Sequence, residues 1–344
     1  MVYGNPILRD IAVSEGKLRV AVVGLGKMGL VHSSVLNVLP RVQLVAVCEK
    51  NGMIRKFAKK LFSGVEVLDD VGKLSAFDLD AVYVTTPILS HFQVVKTVLS
   101  DEVASNVFVE KTLCQRYEES RLLCDLARNI GGVNMVGYLR RFYVTFGKAR
   151  SLLSERAIGD PLSFRAYAYS SDFYGTKELA SRGGVLRDLG CYAIDLALWF
   201  FKDVRVDSRT SAGPSQQVSN EMVSFEFLGD HGLAGHFDIS WFVPNYRMPE
   251  IGFLVKGTEG EVLVSDDKVE LKPESGDSVV WYRHNLSDGV PFCLGLPEYY
   301  REDSHFIDCI LKKETASPDF SAASDVDRVI CQVEENGGGN NQQA

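Results

Sequence analysis

An apolar run beginning at Val20 breaks into Gly24, Leu25, Gly26, Lys27, Met28 and Gly29, and an acid, Glu49, follows twenty residues beyond. Few folds accommodate that pattern. Gly24 permits a tight turn off a first strand, Gly26 lets backbone N–H groups approach a pyrophosphate, and Gly29 allows a helix to pack closely on the strand. The helix N-terminus then turns unpaired amides and the positive end of its dipole towards phosphate. Glu49 closes a second apolar strand, Val42 to Val47, where its carboxylate can accept hydrogen bonds from both hydroxyls of an adenosine ribose. A 2′-phosphate would meet like charge there. NAD is therefore preferred over NADP, a preference that Lys50 could soften by pairing with that phosphate. Cofactor contacts are expected from Gly24, Leu25, Gly26, Lys27, Met28, Gly29, Glu49 and Lys50.

The 344 residues suffice for two domains, each with its own core. From 18 to 136, apolar strand-like runs alternate with helical patterns, as in a parallel sheet covered by helices. Strands are expected at Leu18 to Val23, Val42 to Val47, Ala81 to Thr85, Val107 to Val109 and Val133 to Val136. Helices are expected at Gly29 to Leu39, Ile54 to Leu61, His91 to Leu99 and Tyr117 to Asn129, the last stopped by Gly131 and Gly132. Beyond about 155 the runs alternate apolar with polar and are rich in aromatics, as at Leu162 to Tyr169, Met222 to Phe227, Leu233 to Trp241, Ile251 to Val255 and Val279 to Tyr282. Short connections such as Leu228 to Gly232 favour a largely antiparallel sheet. Helices are expected at Leu189 to Phe201, under that sheet, and near Tyr299 to Lys312 and Ala322 to Glu334. The expected organisation is an α/β Rossmann domain over 1–137, an α+β domain over 138–336 and a disordered tail over 337–344, after a short loose leader.

A net charge of −8 without any basic run argues against a nucleic-acid surface. The longest apolar stretches are strand-length or amphipathic, so no membrane span is expected, and the N-terminus lacks the charged start and apolar core of a signal peptide. Seven cysteines, Cys48, Cys114, Cys124, Cys191, Cys293, Cys309 and Cys331, show no ligand spacing. They read as reduced thiols of a cytoplasmic protein, with no zinc or other metal site expected.

Ligands of an open parallel sheet bind beyond the carboxyl ends of its strands. Three groups fall there: Thr85, Thr86 and Pro87 with His91 one helical turn on; Glu110, Lys111 and Thr112; and the loop Arg182, Gly183, Gly184 leading to Asp188, Gly190, Tyr192 and Asp195. Lys111, beside a bound nicotinamide, could be partly desolvated and aimed at a substrate hydroxyl, though spacing alone reads equally as a solvated surface lysine. Asp188 and Tyr192 share one face if the segment is helical. An ammonium near Tyr192 would favour its phenolate and suit it to act as a base, while a helix packed under a sheet explains the same residues.

At this point the chain resembles the Gfo/Idh/MocA family of nicotinamide-dependent oxidoreductases. Ala21 to Gly29 resembles its nucleotide loop, Pro87 with His91 its Pro-x-x-x-His element, and Val109, Glu110, Lys111 its Glu-Lys-Pro motif. Gly137 to Phe142 resembles the linker after the nucleotide domain, and Gly183 to Asp195 resembles Gly-Gly-x-x-x-Asp-x-Gly-x-His/Tyr-x-x-Asp. The resemblance implies a Rossmann domain, then an open, predominantly antiparallel sheet with helices on one face, which often builds dimers or tetramers. It implies that Lys111 is the catalytic lysine, completed by Asp188 and residue 192. Two positions depart from the pattern. Thr112 stands where proline usually follows the lysine, which loosens the turn that aims Lys111. Tyr192 stands where many members carry histidine, nearer the glucose–fructose, xylose and dihydrodiol enzymes.

The expected function is hydride transfer between NAD and a secondary alcohol of a sugar, cyclic polyol or sugar derivative, with Lys111 and Tyr192 relaying the proton and Asp188 holding the hydroxyl. Arg165, Tyr167, Tyr169 and Tyr246 are substrate-facing candidates by polar or aromatic character alone. Two alternatives accompany this reading. A sugar-nucleotide 3-dehydrogenase would need a cationic pocket, from Arg182, Arg187 or Arg247. A non-catalytic NAD-binding regulator would be free to lose Lys111, Asp188 and Tyr192, which this chain keeps.

Overall fold

A computed structural model describes residues 16–171, 183–202, 204–206, 222–229, 232–286, 288, 290 and 297–338. The early apolar runs become the strands of a parallel sheet, β1 (Leu18–Val23), β2 (Val42–Cys48), β3 (Glu66–Leu68), β4 (Ala81–Val84), β5 (Asn106–Glu110) and β6 (Asn134–Gly137), in the order β3-β2-β1-β4-β5-β6. Between them run α1 (Lys27–Val38), α2 (Gly52–Leu61), α3 (His91–Ser100) and α4 (Tyr117–Ile130). Asn51 caps α2 by accepting from the amide of Met53 at 2.9 Å, and Gly131, at φ +81°, closes α4 in the left-handed region. Because the order reverses at β1 and β4, the carboxyl ends of β1, β4 and β5 open a crevice.

After α5 (Val144–Ser154) the chain enters an eight-stranded sheet, ordered β14-β13-β12-β11-β7-β10-β9-β8. Its strands are β7 (Pro161–Tyr169), β8 (Val204–Val206), β9 (Met222–Gly229), β10 (Ala234–Ser240), β11 (Glu250–Gly257), β12 (Gly260–Ser265), β13 (Lys268–Pro273) and β14 (Val279–Tyr282). Every pairing is antiparallel except β7 with β10. The alternation within β7 sorts its side chains: Phe164, Ala166 and Ala168 are buried, while Arg165 is exposed and Tyr167 and Tyr169 are half-buried on the other face. α6 (Cys191–Phe201) lies under the buried face, where Phe201 stacks on Phe164 at 4.8 Å.

The last two helices return to the first sheet. α7 (Pro297–Lys312) lies on its α1 face, with Phe306 edge-on to Tyr83 at 5.5 Å. α8 (Phe320–Gly338) lies between α4 and α6 on the opposite side, with Ala323, Val326 and Val333 in the core that continues under the second sheet. The helix takes in the first two residues of the stretch expected to be a tail, and 339–344 lie outside the described residues, as do the leader, Arg182 and Cys293. Strands β3, β8, β12 and β13 and helix α5 are additions to the expected elements. No helix among the described residues is long and apolar enough to cross a membrane.

Candidate active site

The glycine turn is built by contacts that exclude a side chain. Gly24 has φ +94°, and a Cβ there would lie 2.9 Å from Thr86 Cγ2. A Cβ on Gly29 would lie 1.9 Å from the Gly24 carbonyl oxygen, so α1 can meet β1 at this distance only as glycine. Gly26, by contrast, faces open space, and no side chain caps α1, which leaves its first amides for an anionic ligand. Thr85 closes the turn from beneath, donating to the Gly24 carbonyl at 2.7 Å.

Glu49, at the end of β2, accepts from the Leu25 amide at 2.8 Å and from the Asn51 amide at 2.8 Å. Those bonds fix a partly exposed carboxylate beside the turn, where a ribose would lie. Lys27 and Lys50 are exposed, and Met28 Sδ receives the Tyr299 hydroxyl at 3.9 Å. Open space at Gly26, free helix amides and an anchored acid together fit an NAD cofactor.

At the ends of β4 and β5 the histidine does not face the crevice. His91 is buried, and its ring nitrogens lie 2.8 Å from the Thr112 carbonyl and 2.7 Å from the Thr86 carbonyl, which ties the two loops together. Pro87 is exposed. The Lys111–Thr112 peptide is cis, and Thr112, in the place of the usual proline, is buried. Glu110 accepts from the Lys111 amide at 3.1 Å.

Lys111 and the start of α6 do meet. Lys111 Nζ donates to the Asp188 carbonyl at 2.5 Å and to Asp188 Oδ1 at 3.1 Å, and stands 5.2 Å from the centroid of the Tyr192 ring. Asp188 lies in a π-helical turn, Leu186–Gly190, that runs straight into α6. Such turns recur at functional sites. Burial opposes the charge on Lys111, but Asp188, then Cys191 and Glu110, outweigh it and raise its pKa above the ordinary lysine value. Tyr192 corrects the sequence reading. Desolvation and then Glu110 outweigh Arg140 and raise its phenol well above 10, so the resting side chain is a neutral phenol rather than a phenolate.

Other candidates lie elsewhere. Arg165 and Tyr169 project from the face of the second sheet opposite α6, Arg165 towards Asp238 at 3.9 Å and Tyr169 against Tyr167 at 5.0 Å and Tyr246 at 5.3 Å. The structure does not bring them to Lys111. Arg187 is buried, donating to the Gln115 carbonyl at 2.7 Å and pairing with Glu334 on α8, so it offers no cationic pocket. Arg247 is exposed in the loop after β10. Asp195 is buried in a two-pronged pair with Arg141, at 2.8 and 2.6 Å, which pins α6 to the linker.

Two charged groups beside the site carried no spacing signal. Arg140, next to Arg141 in the linker, lies against Tyr192. His32, on α1, bridges Glu110 Oε1 at 3.1 Å and Asp303 Oδ1 at 2.8 Å. Glu302 beside it is fully buried, and burial pushes its carboxyl well above the usual carboxylate range. α1 and α7 bring these groups together over the length of the chain, which no local pattern reveals.

With the phosphate turn opening onto the same strand ends as Lys111, fold and crevice are those of a nicotinamide-dependent oxidoreductase. Comparison with known proteins agrees. The family described as oxidoreductase family, NAD-binding Rossmann fold, matches residues 18–138, and the GFO/IDH/MocA C-terminal domain matches 146–263. The chain is 30% identical over 256 residues to trans-1,2-dihydrobenzene-1,2-diol dehydrogenase of Xenopus tropicalis, covering 72% of this chain and 74% of that protein. It is 25% identical over 325 residues to scyllo-inositol 2-dehydrogenase (NAD(+)) of Bacillus subtilis, covering 88% of each. A structure of levoglucosan dehydrogenase in complex with NADH superposes with a TM-score of 0.80 at 20% identity, over 93% of this chain and 97% of that one. The chain belongs to the Gfo/Idh/MocA family, and it is an NAD-dependent oxidoreductase.

Proposed function

We propose that the protein interconverts a secondary alcohol of a sugar or cyclic polyol and its carbonyl, with NAD as the hydride partner. The observation that carries this is the meeting of Lys111, Asp188 and Tyr192 at the strand ends that hold the phosphate turn. When bound, NAD supplies the acceptor or donor of hydride at the carbinol carbon. Asp188 holds the Lys111 ammonium in place, and the ammonium hydrogen-bonds the substrate oxygen. Tyr192, a neutral phenol at rest, gives that oxygen its proton when a carbonyl is reduced and is left as the phenolate; in the other direction it first loses its proton to solvent, and the phenolate then takes the proton of the alcohol. Glu110 fixes the backbone of Lys111, and Glu49 receives the adenosine ribose. The kinship to inositol and dihydrodiol dehydrogenases supports a cyclic diol or polyol as substrate.

Two coarser features belong to the same reading. The aromatic outer face of the second sheet, with Tyr167, Tyr169 and Tyr246, suits the contact of a homodimer or homotetramer. The described cysteines are all free thiols, which suits the cytoplasm.

The test is reduced-nicotinamide formation from NAD with a panel of inositols, free sugars and cyclic diols. Lys111→Met and Tyr192→Phe should each lower kcat by about 10²–10⁴-fold, the usual worth of a positioned proton-transfer group, with the Kd for NAD unchanged. Near-normal turnover in either variant would remove that residue from the mechanism.

A further inference from the structure

Lys111 is one of two cations against Tyr192. The other is Arg140, from the turn Leu139–Phe142 that follows β6, whose guanidinium carbon lies 5.2 Å from the centroid of the same ring. Arg140 is not a surface arginine, being only 8% exposed. Its guanidinium also covers the Tyr143 ring at 4.7 Å, donates to the Pro249 carbonyl at 3.1 Å and pairs with Asp266 Oδ2 at 2.9 Å. These partners come from the linker, the entry to β11 and the turn after β12, so the guanidinium is held from three directions. Neither Arg140 Nε nor Asp266 Oδ1 has a hydrogen-bond partner among the described residues. A buried ion pair left part-satisfied is poor evidence of a role in stability.

We propose that Arg140 is a positioning residue for the reaction: its fixed charge, held against the Tyr192 ring by Asp266 and the Pro249 carbonyl, stabilises the phenolate that forms whenever Tyr192 releases its proton. The proposal rests on the reading of Tyr192 as the proton carrier. A guanidinium stays protonated throughout the working range, so its charge is constant while the phenol cycles. Arg140 has much to oppose. Tyr192 is half-buried, and the groups around it that disfavour a phenolate are Glu110 from β5, Cys191 of its own helix, and Glu302 and Tyr299 from α7. Arg140 draws the phenol down against burial and Glu110. Asp266 modulates this cation, since burial pushes its carboxyl up to about 7 against the pull of Arg140. Above that pH the carboxylate offsets part of the charge felt by Tyr192, and below it the guanidinium acts unopposed.

The test places 3,5-difluorotyrosine at position 192 of the full chain, because its more acidic phenol ionises in ordinary buffers, and follows the ¹⁹F chemical shift with pH. Arg140→Met should raise the titration midpoint by about one pH unit, a tenfold loss of phenolate at fixed pH. Arg140→Lys should restore most of it, and Asp266→Asn should move it downward. If Arg140→Met alone fails to fold, the neutral pair Arg140→Met with Asp266→Asn removes both charges and should still shift the midpoint upward, by less than Arg140→Met alone, because the guanidinium is the charge that lies against the Tyr192 ring. An unmoved midpoint in the folded methionine variants overturns the proposal, and so does a rise that lysine fails to reverse, which would mean packing rather than charge. Turnover by Tyr192→Phe separates the two readings: if that variant remains active while the midpoint still depends on Arg140, the proton-carrier assignment fails and the electrostatic coupling stands.

Discussion

His32 sits one helical turn beyond Gly29 on α1, and its two ring nitrogens reach carboxylates supplied from opposite parts of the chain, Glu110 and Asp303. Acceptors on both nitrogens call for two N–H donors, which only the imidazolium has. Burial opposes that charge, but Asp303 and Glu110 outweigh it and raise the pKa of His32 well above 6.5. Because the folded value exceeds the unfolded one, the stabilisation is fully present below about pH 6.5 and is lost as the pH rises through the folded value. His32→Gln should therefore cost about 3–5 kcal/mol near pH 6, the usual penalty for breaking a buried pair. In urea titrations at stepped pH the gap to the parent protein should narrow towards alkaline pH. A gap that stayed flat would mean that His32 is neutral. Glu110 is the link from this charge to the chemistry, since its other oxygen holds the Lys111 amide. Of the site residues, Glu49, Thr85, Glu110 and Lys111 are legible because an apolar run with a polar stop shows where a strand ends, and Asp188 and Tyr192, in the π turn and α6, through the spaced motif that carries them. His32 and Arg140 carry no such mark, since an isolated histidine in a helix and one arginine of a pair gain their meaning only from what folds against them.

Helix α7 carries much of what the site borrows from the end of the chain: Tyr299 reaches Met28, Asp303 reaches His32, and Phe306 seals the helix to the sheet. Phe306 is fully buried and stands edge-on to both Tyr83 at 5.5 Å and Phe108 at 5.8 Å. Phe306→Ala should destabilise the protein by about 3–5 kcal/mol through lost transfer energy and an unfilled cavity, read as a lower urea midpoint at unchanged m. A loss within 1 kcal/mol would show that α7 docks through other groups. The period of apolar residues reveals that a helix covers Tyr299 to Lys312 but not which sheet receives it, and the domain reading placed it with the second. Partners hundreds of residues away leave no trace in a local pattern. The strands that escaped the sequence reading fail it for a different reason. β3 and β8 have three residues each, too few for a period, and β13, Lys268–Pro273, interleaves Lys268, Glu270 and Lys272 with its apolar positions, so it resembles a charged loop. In α5, Gly147 and a mixed face blur the helical stripe.

At the scale of the whole molecule, the two sheets share one core. The buried cluster that contains Val23, Val84 and Val109 of the first sheet runs without a break through α8 to Phe164, Phe253 and Val262 of the second. Buried pairs cross the same junction, Arg141 with Asp195 and Arg140 with Asp266. A core without a seam should unfold as one unit. The tryptophans offer a direct test, because all three, Trp199, Trp241 and Trp281, lie beyond the first sheet, whereas the phosphate turn and Glu49 lie within it. NAD bound to the first sheet stabilises whatever unfolds together with it, by about 2.7 kcal/mol at a hundred times its Kd. If the junction couples the sheets, adding NAD should move the tryptophan-reported urea midpoint by the full amount and keep it coincident with loss of helical circular dichroism. If the second sheet melts by itself, its fluorescence transition would ignore the cofactor while part of the helical signal shifts. That outcome would make the shared core a contact between independent units, and would leave Arg140 and α7 unable to hold the site in register.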